Sequence, residues 1–238
     1  EVGLRVSAAM FYNRWSWAAL ATLFLTGLRS TRNPGWLQVL EAVAIGYLLV
    51  FLFLLKVSYA AVAVAYLLTF SVLFPRLRLR APLVVATVAL LLGALQLWTG
   101  LLSAYLADVH SAIISSGAVR SDLTETIIAT LRETLPVAIC FGLALRWRVV
   151  TWQETVFAAF VILSGIALVN QNAQFLFIAT LIVPWALLAA RLGEARAAPL
   201  RVLTPVLALV FLVPQLTHWA VAMNEFRFGT RYAQARAD

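Results

Sequence analysis

The chain has 238 residues, 63% of them hydrophobic and only 12% charged, with a mean hydropathy of +0.93. An ordinary soluble domain carries roughly 45–50% apolar and about 25% charged residues, so a fold fully solvated by water is excluded and lipid must solvate much of the surface. The net charge of +8 does not point to nucleic acid, because the arginines sit in short loops between apolar runs, the positive-inside pattern.

Those runs are continuous and lack the in-out alternation of a membrane barrel, so the expected class is all-α. A span needs roughly 20 apolar residues at about 1.5 Å each. That ruler predicts a polytopic bundle of about eight spans, near 10–28, 36–55, 57–74, 83–106, 127–145, 149–169, 173–190 and 202–222. The stretch 36–74 has no proline, and at about 58 Å as one helix it is too long for one crossing. A tight hairpin is expected around Lys56 and Ser58. Residue 1 is glutamate and no signal-peptide pattern opens the chain, so residues 1–238 are expected to form a single transmembrane domain within something longer.

Orientation follows from the loops. Arg29 and Arg32, then Arg76, Arg78 and Arg80, then Arg146 and Arg148, then Arg191, Arg196 and Arg201 all fall on one side of the alternating spans. The opposite turns hold Lys56 and the Asn170–Gln174 stretch, so the arginine-rich side is expected to be cytoplasmic and both termini extracytoplasmic. Trp15, Trp17 and Trp219 at one level, and Trp36, Trp147, Trp152 and Trp185 at the other, form two aromatic belts. Pro184, Pro205 and Pro214 inside the last two spans predict kinks.

Several chemistries are missing from the sequence. It has no Walker A loop, GxGxxG, HExxH, CxxC or Asn-x-Ser/Thr acceptor. The two histidines, His110 and His218, are far apart, so a multi-histidine metal site or haem pair is not expected, and no cofactor is named by the residues. Cys140 is alone in an apolar run and forms no disulfide.

The remaining polar groups are unevenly shared. Asp108, His110, Asp122, Glu125, Glu133, Glu225, Asn170, Asn172, Arg120, Arg227 and Arg231 map to the side away from the arginine-rich loops. Acid-base chemistry needs a carboxylate or imidazole, which makes Glu133, Asp108 and His110 the candidate catalytic residues. Phosphates need guanidinium or ammonium donors, which makes Arg120, Arg132, Asn170, Asn172 and Lys56 the candidate substrate-binding residues. Lys56 read otherwise is a solvated turn charge, and Glu41 is an interfacial or arginine-paired carboxylate ahead of a proton carrier. The run Tyr12–Asn13–Arg14–Trp15 reads as an interfacial anchor.

Residues 121–145 carry the strongest pattern. Asp122 and Glu125 form a capping box ahead of an apolar-periodic run. Asp122, Glu125, Thr126, Arg132 and Glu133 share one arc, and Leu123, Ile127, Ile128, Leu131 and Leu135 the other. Charges inside a span cost about 2.5–3.5 kcal/mol each on insertion scales, so Arg132 and Glu133 are expected to face a cavity.

The layout of many apolar helices, polar residues on the outer face and arginine over lysine resembles bacterial enzymes that assemble envelope polysaccharides from polyprenyl-diphosphate sugars. Ser116–Gly117–Ala118–Val119–Arg120 is similar to the Ser-Gly-x-Arg stretch of the O-antigen polymerase and ligase family, with one residue more before the arginine. Asn170–Gln171–Asn172–Ala173–Gln174 and the span after it resemble, in layout, late segments of GT-C-type glycosyltransferases. The resemblance implies an inner-membrane enzyme that takes a lipid-linked sugar on the outer face, with other membrane proteins as partners. A transporter or flippase, and a non-catalytic assembly subunit, remain the alternative readings.

Overall fold

A computed structural model describes residues 8–28, 35–73, 75–115, 123–172 and 178–194, and among them every element is helical. The helices are α1 (Ala8–Leu28), α2 (Gly35–Leu55), α3 (Val57–Leu73), α4 (Pro75–Thr99), α5 (Leu101–Ser115), α6 (Leu123–Arg146), α7 (Trp152–Asn172) and α8 (Ile178–Glu194). Three of them, over Gly35–Leu55, Arg80–Thr99 and Trp152–Asn170, are long and apolar enough to cross a membrane. Val57–Leu73, Thr134–Arg146 and Leu181–Leu192 are shorter apolar helices. The span expected at 202–222 lies outside the described residues.

The α2–α3 hairpin forms at the expected place. Lys56 is its only non-helical residue, tied by its N–H to the Leu52 carbonyl at 2.8 Å. Ile45 and Leu49 of α2 wall the same groove as Val64 and Leu68 of α3, which requires the chain to reverse at Lys56.

The fourth expected span departs from the sequence reading. The helix begins at Pro75, not residue 83, and stops at Thr99, where Gly100 adopts φ 64°. Only glycine takes that left-handed conformation without strain, and it ends helices routinely. The Gln96 side-chain oxygen accepts from the Ser103 N–H at 3.1 Å and fastens the corner. Residues 101–106, expected in the span, and 107–115, expected in a loop, together form α5. Leu102, Tyr105 and Val109 are partly covered while Leu101 and Leu106 are exposed.

The reversal between α6 and α7 uses Arg148 at φ 57°, with the Val149 N–H donating to the Ala144 carbonyl at 2.8 Å. Thr151 and Glu154 then cap α7 reciprocally: the Thr151 N–H donates to Glu154 Oε2 at 2.8 Å, and the Glu154 N–H to Thr151 Oγ1 at 3.3 Å. This capping box satisfies the helix's first free N–H groups.

The core is aromatic where α1, α3 and α7 meet. Phe24, Tyr66, Phe70, Phe157 and Phe160 pack mostly edge to face at centroid distances of 5.0 to 6.4 Å. Large aliphatic side chains such as Leu68, Val72, Leu90 and Leu163 point outward, the arrangement expected where lipid is the solvent. Gly46 lets α2 and α4 approach: a Cβ there would lie 2.7 Å from Thr87 Cβ.

Candidate functional site

Hydrogen bonds between helices sort the polar residues into two ends. At the end carrying the arginines, Glu41 of α2 pairs with Arg80 of α4 at 2.5 Å, and Glu154 of α7 with Arg191 of α8 at 2.6 Å. Gln153 of α7 reaches the Leu73 carbonyl of α3 at 3.5 Å. The carboxylate of Glu154 is fully employed, accepting from Arg191 through Oε1 and from Thr151 through Oε2. These groups join helices, and of the readings the sequence left open for Glu41 the arginine-paired carboxylate is the one found.

The other end is different. Lys56 Nζ donates to Asn13 Oδ1 at 3.1 Å, joining the α2–α3 turn to the start of α1. Asn13 is 5% exposed, while its neighbours Tyr12 and Trp15 are exposed. Lys56 is half-buried, not a solvated turn charge, and burial pushes its ammonium down from the ordinary lysine value. One turn along α1 lie Ser16 and Trp17, and just along α3 lie Ser58 and Tyr59, with the Trp17 and Tyr59 rings in edge contact at 5.3 Å.

Ser16 Oγ, Trp17 Nε1, Ser58 Oγ and Tyr59 OH are buried and have no hydrogen-bond partner among the described residues. Buried polar atoms in folded proteins are nearly always paired, and each left alone costs about 1–3 kcal/mol. The four residues lie within about a turn, along α1 and α3, of the bonded pair Asn13 and Lys56, which gathers donor-bearing side chains at this end of the two helices.

A second polar group of the same end lies between α6 and α7. Thr126 Oγ1 donates to Asn170 Oδ1 at 2.9 Å. Thr126, Thr130 and Thr134 follow one another at i, i+4 and all are buried, while Ile127, Ile128, Leu131 and Leu135 point outward. The threonine row of α6 therefore faces the bundle and these four aliphatic residues face away, while of the expected polar arc only Thr126 has a described side chain. Thr130 closes onto its own helix by bonding the Thr126 carbonyl at 2.8 Å.

The expected site residues are thus distributed. Lys56 joins the α1–α3 cluster and Asn170 the α6–α7 contact. Asp108 and His110 are both exposed on α5, two positions apart and so not on one face of the helix. Tyr105 of α5 donates to the Phe53 carbonyl at 2.5 Å, holding α5 near the end of α2 that leads into Lys56. Arg132, Glu133 and Asn172 fall within α6 and α7 with side chains outside what is described, and Arg120 lies wholly outside the described residues. Among the described residues no cluster of three or more metal-ligating side chains exists.

The sequence reading missed Ser16, Trp17, Ser58, Tyr59, Thr130 and Thr134. The available signals were spacings: Asn13 to Ser16 at i+3, and Thr126, Thr130 and Thr134 at i+4, each placing polar groups on one helical face. Comparison with protein-family models, curated proteins and solved structures finds no match to this chain.

Proposed function

We propose that the chain is a bacterial inner-membrane enzyme of envelope glycan assembly. It binds a polyprenyl-diphosphate sugar at the end opposite its arginine-rich loops, which face the cytoplasm. In this reading the chain crosses the membrane about eight times, both termini are extracytoplasmic, and α5 lies on the outer surface. The observation that carries the proposal is the contrast between the two ends. Glu41, Arg80, Glu154 and Arg191 are engaged with one another at the arginine-rich end. At the other end the half-buried Lys56 lies near residues whose buried polar atoms have no hydrogen-bond partner among the described residues.

A diphosphate needs a cation and hydrogen-bond donors in a low-dielectric site, and Lys56 with Ser16, Trp17, Ser58 and Tyr59 supplies both. Transfer proceeds when an acceptor hydroxyl attacks the anomeric carbon. The C–O bond to the diphosphate breaks, the diphosphate leaves with that electron pair, and the acceptor's proton passes to a base. Asp108, His110 and Glu133 are the candidates for that base, with Arg120, Arg132, Asn170 and Asn172 as further contacts to substrate.

A transporter needs polar lining through both leaflets. The cluster of Phe24, Tyr66, Phe70, Phe157 and Phe160 occupies the core where α1, α3 and α7 approach the arginine-rich end, which favours a site open to one side over a path.

The test is product formation from a polyprenyl-diphosphate sugar in membranes carrying the full chain, comparing wild type with Lys56→Met and Arg132→Ala at matched protein level. Loss in both variants, with unchanged membrane insertion, is the expected result. Wild-type activity in both would remove the proposed site and leave the transporter or assembly reading ahead.

A further inference from the structure

α2 packs against α1, α3 and α4 and still leaves one side open. Trp36, Leu40, Val43 and Tyr47 are all exposed. They follow one another at intervals of four, three and four residues, and at about 100° per residue they fall within an arc of roughly 60°. The buried residues Ala42, Ile45, Leu49 and Leu52 lie on the opposite side. Glu41, the only charged residue of α2, is turned to Arg80 and away from this face.

Tyr47 decides what the open face meets. α2 is long and apolar enough to cross a membrane. Tyr47 stands about 18 Å along it from Gly35 and about 12 Å from Leu55, near the middle of a hydrocarbon layer of about 30 Å. Tyrosines of spanning helices gather at the two interfaces, where water satisfies the hydroxyl. This one is 59% exposed on the outward side. Its ring stacks on Phe51 at 6.4 Å and 13°, and among the described residues nothing offers its hydroxyl a hydrogen bond. Helical side chains lean toward the N-terminus, which carries the hydroxyl away from the nearer end of α2. A hydroxyl set in hydrocarbon gives up its hydrogen bonds to water and gains none in return. Lipid tails therefore leave Tyr47 unsatisfied, whereas a packed helix with a polar group at the same depth satisfies it.

A second copy of the chain is such a helix. Copies of one chain share one orientation in the membrane, so a two-fold axis along the membrane normal sets each residue of α2 against itself at equal depth. A tyrosine hydroxyl both donates and accepts, so Tyr47 pairs with its own image, and the face holds no charge to be repelled. The four-three-four spacing is the repeat along which parallel helices interlock. With aromatic side chains of about 150–250 Å² at two of its positions, and Val39 exposed beside it, the face offers on the order of 500 Å² per copy. Two copies together then reach the roughly 1,000 Å² that a specific interface needs.

We infer that the chain forms a dimer through α2, with Trp36, Leu40, Val43 and Tyr47 of the two copies facing one another and the two Tyr47 hydroxyls hydrogen-bonded within the membrane. Nothing in this contact depends on the proposed activity.

The test uses the full chain reconstituted in liposomes. Oxidative cross-linking of Leu40→Cys, Val43→Cys and Tyr47→Cys is expected to give a disulfide-linked dimer, while Leu163→Cys, at a position equally open on α7, stays monomeric. Cys140 is buried and remains outside the reaction. Energy transfer between labelled copies, followed as added lipid dilutes them, gives the dissociation constant. Tyr47→Phe keeps the ring and loses only the hydroxyl at an exposed position, so the monomer stays folded, as thermal unfolding will check. It is expected to weaken the dimer about three- to tenfold. Cross-linking at Leu163→Cys as strong as at Tyr47→Cys would reduce the contact to random collision and overturn the interface. Monomer at every dilution would overturn the second copy, and a cross-linked species of another mass in native membranes would then put a different protein on this face. An unchanged dissociation constant in Tyr47→Phe would overturn the bond between the tyrosines.

Discussion

Glu41 and Arg80 meet across the α2–α4 contact at 2.5 Å, and both side chains are largely buried. Removing two charges from water is costly, so such a pair adds little net stability, yet breaking it strands a charge and costs about 3–5 kcal/mol. Glu41→Gln is therefore expected to lower the unfolding temperature of the purified chain markedly. The double variant Glu41→Leu with Arg80→Met should recover most of the loss. A double variant as unstable as the single would show that the pair contributes through something other than charge compensation.

A second consequence of the α2–α4 contact concerns Gly46. A methyl group at this position would meet Thr87 Cβ at 2.7 Å and Thr87 Cγ2 at 2.8 Å, and the Val84 carbonyl limits retreat at 3.2 Å. Overpacking of this kind costs about 1–3 kcal/mol. Gly46→Val should destabilise the chain, and Thr87→Ala in the same molecule should relieve it. Thermal unfolding of the three variants measures the coupling, and strictly additive effects would show that the contact does not limit the approach.

Much of the helical framework was legible because hydropathy reports length directly. The boundaries 36–55 and 57–74 fall within one residue of α2 and α3, since a lysine between two apolar runs leaves little choice. α5 was not legible: it is short and amphipathic, and its start depends on the backbone freedom of Gly100. Arg80 counted as a loop arginine but sits within α4, because the counter-charge that lets it stay buried is 39 residues away in α2. The sequence suggests an arginine partner for Glu41 but does not say which arginine it is. The polar cluster at Ser16, Trp17, Ser58 and Tyr59 was hidden for a related reason: each residue alone is ordinary in an apolar helix, and only the contact of α1 with α3 makes them a group.

Orientation is open to direct measurement. His110 on α5 and Arg78 on α4 are both exposed, and the positive-inside bias assigns them to opposite sides. Cys140 is buried and contributes little background. A membrane-impermeant thiol reagent applied to intact cells should modify His110→Cys and spare Arg78→Cys until the membrane is opened. The reverse pattern would place the Lys56 cluster on the cytoplasmic side and end the proposal of an extracytoplasmic site.

The pH dependence of ligand binding offers the most specific test of the Lys56 cluster. Burial lowers the Lys56 pKa from its ordinary value of 10.5, because a half-buried ammonium loses hydration. Between the lowered and the ordinary value the unfolded chain holds a proton that the folded chain has released, so this residue makes stability rise with pH in that window. Binding of a diphosphate runs the opposite way, since it needs the charged ammonium and weakens as pH rises through the lowered value. A polyprenyl diphosphate titrated into the purified chain should therefore lose affinity at an alkaline pH where an exposed lysine would still be charged. Lys56→Arg, which stays protonated throughout, should bind with little pH dependence. Lys56→Met should bind about ten- to hundredfold more weakly at neutral pH, the worth of a charged hydrogen bond. Identical profiles for wild type and Lys56→Arg would show that Lys56 does not contact the diphosphate. The buried polar atoms of α1 and α3 would then have to be satisfied by something uncharged.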